Sequence, residues 1–177
     1  MNFDKLRVNQ SSQYPNGDEM AEIIGTLECY VKKDGKYLML HRNQHRLIMP
    51  GVWMAPGGKR ELGEGLFECA HREILEETGL EIKNIKIRAT GIVRIKDLDL
   101  QLLVNFLTAD YAYGELKQCP EGELVWLMPE EIFKLDSLLE ELRHVLPFVF
   151  DDKAGIVSFK SVYSSGNNMV EFGIENP

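Results

Sequence analysis

Cysteine is scarce in this chain and poorly spaced for any role but that of a free thiol. The three residues, Cys29, Cys69 and Cys119, are far apart and form no Cys-x-x-Cys pair. That argues against a disulfide framework and a structural zinc site, and predicts reduced thiols in a cytoplasmic protein. No apolar run approaches the ~20 residues that span a bilayer, and the first residues lack the apolar stretch of a signal peptide, so no membrane partner is expected. Positive charge is in deficit. With 20 Lys and Arg against 28 Asp and Glu the net charge is −8, which disfavours binding to a nucleic acid polymer, since few cations are available to replace counterions. There is no Gly-x-Ser-x-Gly elbow, and His41, His45, His71 and His144 have no metalloprotease spacing. Repeats, low-complexity tracts and internal linkers are missing too, so 177 residues read as one domain, 24–177, behind an N-terminal arm, 1–23.

What is present reads as α+β. Leu27–Lys33 and Lys36–His41 are strand candidates joined by Asp34-Gly35, a strong hairpin signal. Residues 42–58 hold Pro50, Gly51, Pro56, Gly57 and Gly58 and read as loop, with a short strand around Val52–Ala55. A helix is expected over 66–78, stopped by Gly79. Strands follow at about 83–95, 98–108 and 123–128, then a short helix opened by Pro129. Ser137-Leu-Leu-Glu140 matches a capping box and predicts a second helix to about 146. Segments 156–163 and 169–174 form a closing hairpin. Strands and helices do not alternate regularly, which argues against a doubly wound parallel sheet.

One segment carries chemistry. On the helix at 66–78, Glu73, Glu76 and Glu77 fall in an arc of roughly 100° that borders the apolar stripe Leu66, Phe67, Ala70 and Ile74. Glu76 and Glu77 occupy the last turn, where the helix dipole disfavours anions, and like charges at these spacings repel. Arg72 offsets only part of this. Such a cluster calls for a hard divalent cation, Mg²⁺ with Mn²⁺ as a substitute, which takes oxygen ligands and bridges to phosphates. Just before it, Gly57-Gly58 provides a backbone without side chains that can approach a metal or phosphate closely.

Gly58, five residues, Glu64, seven residues, then Arg72-Glu73-Ile74-Leu75-Glu76-Glu77-Thr78-Gly79-Leu80 resembles the Nudix box of MutT-like pyrophosphohydrolases at every specified position. The resemblance implies an α/β/α sandwich around a mixed β-sheet and metal-dependent hydrolysis of a diphosphate bond. It implies Glu76 and Glu77 as main metal ligands, joined by the Gly57 carbonyl, with Glu73 as a further ligand or the general base. Arg72 would orient the carboxylates and Glu64 would hold metal-bound water. Glu121, in Pro120-Glu-Gly-Glu-Leu-Val-Trp126, looks like the later-loop carboxylate that members of this family add; Glu123 is its rival.

Substrate identity is less legible. The approach Trp53…Gly57-Gly58-Lys59, the stretch ending in Trp126 and the closing hairpin resemble the branch acting on oxidised purine nucleoside triphosphates, which implies a nucleoside monophosphate and pyrophosphate as products. Met54 stands where some members of that branch carry Asn; it cannot make paired amide contacts but can pack against a flat ring. Leu138-Leu139-Glu140-Glu141 replaces a Trp and Asp pair near the base. The expected substrate-binding set is therefore Met54, Gly58, Lys59, Trp126, Glu140 and Glu141, with both glutamates otherwise reading as solvated helix residues and both tryptophans as packing residues. A hydrolase of ADP-ribose or a nucleotide sugar is the alternative, and a non-catalytic binding module of the same fold the reading from another class. The oligomeric state, monomer or homodimer, is open.

Overall fold

A computed structural model describes residues 23–164 and 167–175. The elements in chain order are β1 (Ile23–Lys33), β2 (Lys36–Arg42), β3 (Trp53–Met54), β4 (Gly57–Lys59), α1 (Leu66–Thr78), β5 (Leu80–Ile95), a 3-10 turn at Lys96–Leu98, β6 (Leu100–Gly114), β7 (Gly122–Leu127), α2 (Pro129–Ile132), α3 (Glu140–Phe150), β8 (Val157–Tyr163) and β9 (Met169–Glu175). The expected arm lies outside the described residues except for Ile23, which already belongs to β1.

The strands form one mixed sheet in the order β3-β2-β1-β6-β5-β8-β9, with β4 also paired to β1 and β7 to β2. The β1–β6 and β5–β8 pairs are parallel and the others antiparallel. Side-chain alternation along the strands sends two apolar sets to opposite faces. Leu27, Cys29 and Val31 of β1, with Leu38 and Leu107, pack under Cys69, Ala70 and Ile74 of α1. Ile24, Tyr30, Met39, Val104 and Phe106 pack under Leu142, Val145, Leu146 and Val149 of α3. The result is the expected α/β/α sandwich. All three cysteines are free, and no helix among the described residues is long and apolar enough to cross a membrane.

Several local expectations hold for the stated reasons. Asp34 and Gly35 take positive φ and close the β1–β2 hairpin with Lys33 opposite Lys36. Gly79 ends α1 in the left-handed region at φ 78°. Others need correction. Phe67, expected in the apolar stripe, is 46% exposed, and Cys69 is buried on that face of α1 instead. The strands at 83–95 and 98–108 are longer than read, reaching Leu80 and Gly114, with bulges between Glu81 and Ala89 that blur the period. No capping box forms at Ser137: α3 starts at Glu140 behind Leu139, without a side-chain cap. Backbone pairing positions it instead, through Trp53 N–H to the Ser137 carbonyl (2.8 Å) and Leu139 N–H to the Trp53 carbonyl (3.1 Å). The helix also runs through Pro147 to Phe150, where the Arg88 guanidinium of β5 donates to the carbonyls of Phe148, Val149 and Asp151 and closes its end.

Candidate active site

Residues 57 and 58, expected as loop, belong to a strand, β4. β4 pairs with β1, setting Gly57 opposite Glu28 and Gly58 opposite Leu27. This lays the glycine backbone beside α1, and the fit admits no side chain. A Cβ on Gly57 would stand 2.2 Å from the Leu27 carbonyl oxygen, and one on Gly58 would stand 2.0 Å from the Glu73 carboxyl. The Gly57 amide donates to Glu77 Oε2 at 3.1 Å. Two box acids and both glycines therefore meet at one spot.

Arg72 braces that spot. Its Nε and Nη2 hold the two oxygens of Glu64 at 2.7 and 2.8 Å, its Nη1 holds Glu73 Oε1 at 2.9 Å, and Nη2 also reaches the Lys59 carbonyl at 3.1 Å. A longer contact of 3.5 Å runs from Nη1 to Glu76. The bidentate hydrogen bonds from Arg72 hold the Glu64 carboxyl down at about 2. Both Glu64 oxygens are thus engaged by the arginine, so the structure gives Glu64 a bracing position.

The three helix acids separate by exposure. Glu73 and Glu77 are buried, whereas the Glu76 side chain is 62% exposed at the rim. Burial raises the pKa of Glu73 and of Glu77, and repulsion adds to it: Glu77 raises Glu73, and Glu121 raises Glu77. Glu121 arrives from the turn closed by the Cys119–Gly122 bridge and is buried against Arg42 (3.3 Å) and Arg46 (2.5 Å). Its rival Glu123 is exposed on β7. Among the described residues no three acidic, imidazole or thiol groups already stand as a closed metal cage. The chemistry of the donors nonetheless fits a hard divalent cation: Glu77 repels Glu73, Glu121 repels Glu77, Glu76 stands at the rim, and bare glycine backbone lies against Glu73 and Glu77.

A second feature lies on the α3 face of the sheet. A pocket of about 40 Å³ is lined by Glu28, Arg42, Met49, Met54, Leu139 and Glu141 among others. Met54 and Glu141 stand here together. Glu140 does not line it; it faces solvent, paired with Arg143 at 3.7 Å. Trp126 does not either: opposite Leu38, it packs on the α1 face, with Lys33 above its ring. Trp53 stacks on His41, and Lys59 is exposed beside the glycines. The other reading of Glu141, a solvated helix residue, does not hold. It is 2% exposed, and its Oε2 has no hydrogen-bond partner. Burial, then repulsion from Glu28, pushes its carboxyl up to about 8.

Glu28 was missed by sequence reasoning. It is 3% exposed, and its Oε2 accepts from the Tyr30 hydroxyl (2.8 Å) and the Ala55 amide (3.2 Å). Burial raises its carboxyl to about 7 despite these bonds. The available signal was a lone acid inside an apolar strand, Leu27-Glu28-Cys29, whose neighbours fill the opposite face.

Comparison with known proteins adds the relatives. The NUDIX domain family model matches residues 27–149. An uncharacterized Nudix hydrolase, YvcI of Bacillus subtilis, is 32% identical over 125 residues, covering 68% of this chain and 75% of that one. The nucleoside triphosphatase NudI of Salmonella arizonae is 30% identical over 132 residues, covering 68% of this chain and 93% of its own. Two longer relatives are spanned over only 19% and 31% of their own length. Among solved structures, a MutT protein from Bacillus halodurans superposes with a TM-score of 0.75 at 24% identity, over 87% of this chain and 99% of that one, which speaks for the fold.

Proposed function

The chain belongs to the Nudix hydrolase family, and from that premise we propose that it hydrolyses a nucleoside triphosphate, plain or oxidised in its purine, to a nucleoside monophosphate and pyrophosphate. The observation that carries this reading is the convergence of Glu73 and Glu77 on the Gly57–Gly58 backbone. The substrate class draws support from the similarity to a nucleoside triphosphatase over two thirds of the chain, and from a pocket lined by Met54, Glu141 and Glu28, the last of which pairs with Gly57 across the sheet.

Glu76 and Glu77, with the Gly57 carbonyl and Glu121, would hold one or more divalent cations, Mg²⁺ or Mn²⁺. When bound, such a cation neutralises charge on the phosphoryl oxygens and lowers the pKa of water. The remaining work falls to the chain itself. The glycine backbone lets the diphosphate approach without a side chain in the way, and the next residue, Lys59, is exposed. Water attacks phosphorus, the anhydride P–O bond breaks, and pyrophosphate leaves. Glu73, whose burial favours the protonated form, takes the proton of that water. Arg72 holds Glu73 and Glu64 in place throughout. A flat base enters the narrow pocket by displacing the flexible side chains of Met49 and Met54.

The test is a substrate panel with Mg²⁺: plain and oxidised dGTP, ADP-ribose and a nucleotide sugar, scored by kcat/KM and by the two phosphate products. Triphosphates giving monophosphate and pyrophosphate support the reading. A preference for ADP-ribose over both triphosphates replaces it, and no metal-dependent turnover of any of them favours a binding module.

A further inference from the structure

The pocket on the α3 face holds two carboxyls from two different elements, Glu28 of β1 and Glu141 of α3, set in a wall of Met54, Val93, Val104 and Leu139. Both are more than nine-tenths buried. Two acids sharing an apolar pocket repel each other, and Arg42, which also lines the pocket, is already engaged with Glu121 and the Ile48 carbonyl. Such an arrangement is unfavourable for folding alone. The Glu141 Oε2 atom, buried and without a partner, lacks any hydrogen bond that would explain its placement by packing. On Glu28 both hydrogen bonds fall on Oε2, and Oε1 takes none among the described residues. Each acid therefore offers acceptor capacity to whatever fills the pocket. That capacity matches a ring edge rich in N–H groups, such as the amino and lactam groups of a purine.

Glu28 has a second connection that Glu141 lacks. The oxygen that accepts from Tyr30 also accepts from the Ala55 amide, two residues before Gly57, and Glu28 itself pairs with Gly57 across the sheet. The same side chain thus faces the pocket and holds the backbone two residues before the glycines.

Building on the base-pocket reading above, we propose that Glu28 is a specificity-determining residue, forming with Glu141 a two-carboxyl clamp for the N–H edge of the substrate base. Glu28 selects bases by what they donate, and the same carboxyl keeps the bound base in register with the glycine backbone beneath the diphosphate.

The test is calorimetric and needs no turnover. Wild type, Glu28→Gln, Glu141→Gln and the double variant are titrated with guanosine and adenosine 5′-monophosphates, with purine riboside 5′-monophosphate, which keeps the ring but has no N–H on its edge, and with ribose 5-phosphate. Wild type is expected to bind the amino-bearing purines about 10-fold or more tighter than the bare purine, in line with the free energy regained when a buried polar group without a partner is given one. Each single substitution is expected to shrink that ratio about 5-fold or more, and the double variant by less than the product of the two. Should Glu28→Gln fail to fold, Tyr30→Phe, which frees Glu28 Oε2 from the hydroxyl while keeping the ring, is expected to shift the same ratio. If wild type binds the three purines no better than ribose 5-phosphate, the base-pocket reading falls and the clamp with it. If purines are preferred to the sugar phosphate but the amino groups make no difference, or the ratio survives in folded Glu28→Gln and Tyr30→Phe, the clamp alone is wrong.

Discussion

Glu141→Gln tests how the buried acid is held, through the dependence of stability on pH. In the native protein burial and the nearby Glu28 raise the Glu141 carboxyl to about 8, from an ordinary value of 4.5 that applies once the chain unfolds. Between those two values the unfolded chain has released the proton while the native protein keeps it. Stability therefore falls as pH rises through this window; the full contribution is present below 4.5 and is lost above about 8. At ~1.4 kcal/mol for each pKa unit, the window sets an upper bound of ~5 kcal/mol. Local relaxation and water entry lower that figure, and ~2 kcal/mol or more is expected to remain. A glutamine has nearly the same shape and cannot ionise, so it removes this slope. Urea unfolding at pH 5, 7 and 9 measures it: the stability of Glu141→Gln relative to wild type is expected to rise across the series. Parallel curves for the two proteins would refute the reasoning, because they would mean that Glu141 is solvated in the native state.

Three further outcomes concern catalysis. Glu77→Gln, which removes a buried carboxylate bonded to the Gly57 amide, is expected to lower kcat about 10²-fold or more in a folded protein, as loss of a strong electrostatic group does; near-normal turnover would discard its role. Gly58→Ala places a methyl group 2.0 Å from the Glu73 carboxyl and should displace it, lowering kcat about 10-fold or more while circular dichroism stays native-like; an unaltered kcat would show that Glu73 need not lie over that backbone. Exhaustive chelation should abolish hydrolysis and added Mg²⁺ or Mn²⁺ restore it, and activity that persists in chelator would remove the metal from the mechanism.

The box was legible because its spacing is local. Glu73 and Glu77 share a helix face, Gly79 stops the helix through its own backbone freedom, and Asp34-Gly35 makes its hairpin unaided. What escaped depends on partners distant in sequence. β4 is three residues, two of them glycine, and is a strand only because β1 offers it a hydrogen-bonding edge. The start of α3 is set by backbone bonds to Trp53, more than eighty residues earlier, so the capping pattern at Ser137 misled. Exposure was likewise unreadable: Glu140 and Glu141 are adjacent and identical, yet one faces solvent and the other a pocket, because a helix turns ~100° between them. Trp126 followed the alternation of its strand to the face opposite Met54.

The parallel pairing of β1 with β6 also bears on how the chain reaches this state. Ile23 lies opposite Gln101 and Lys32 opposite Asp110, so the first strand of the sheet waits for a partner made long after it. Closing a loop of that length is slow compared with forming the adjacent hairpin. During synthesis the β1–β2 hairpin must leave the ribosome with one edge unfilled, and the box helix forms before the sheet beneath it is complete. The strand that later supports the glycines is thus, for that interval, the edge at which a nascent chain can pair with another copy of itself.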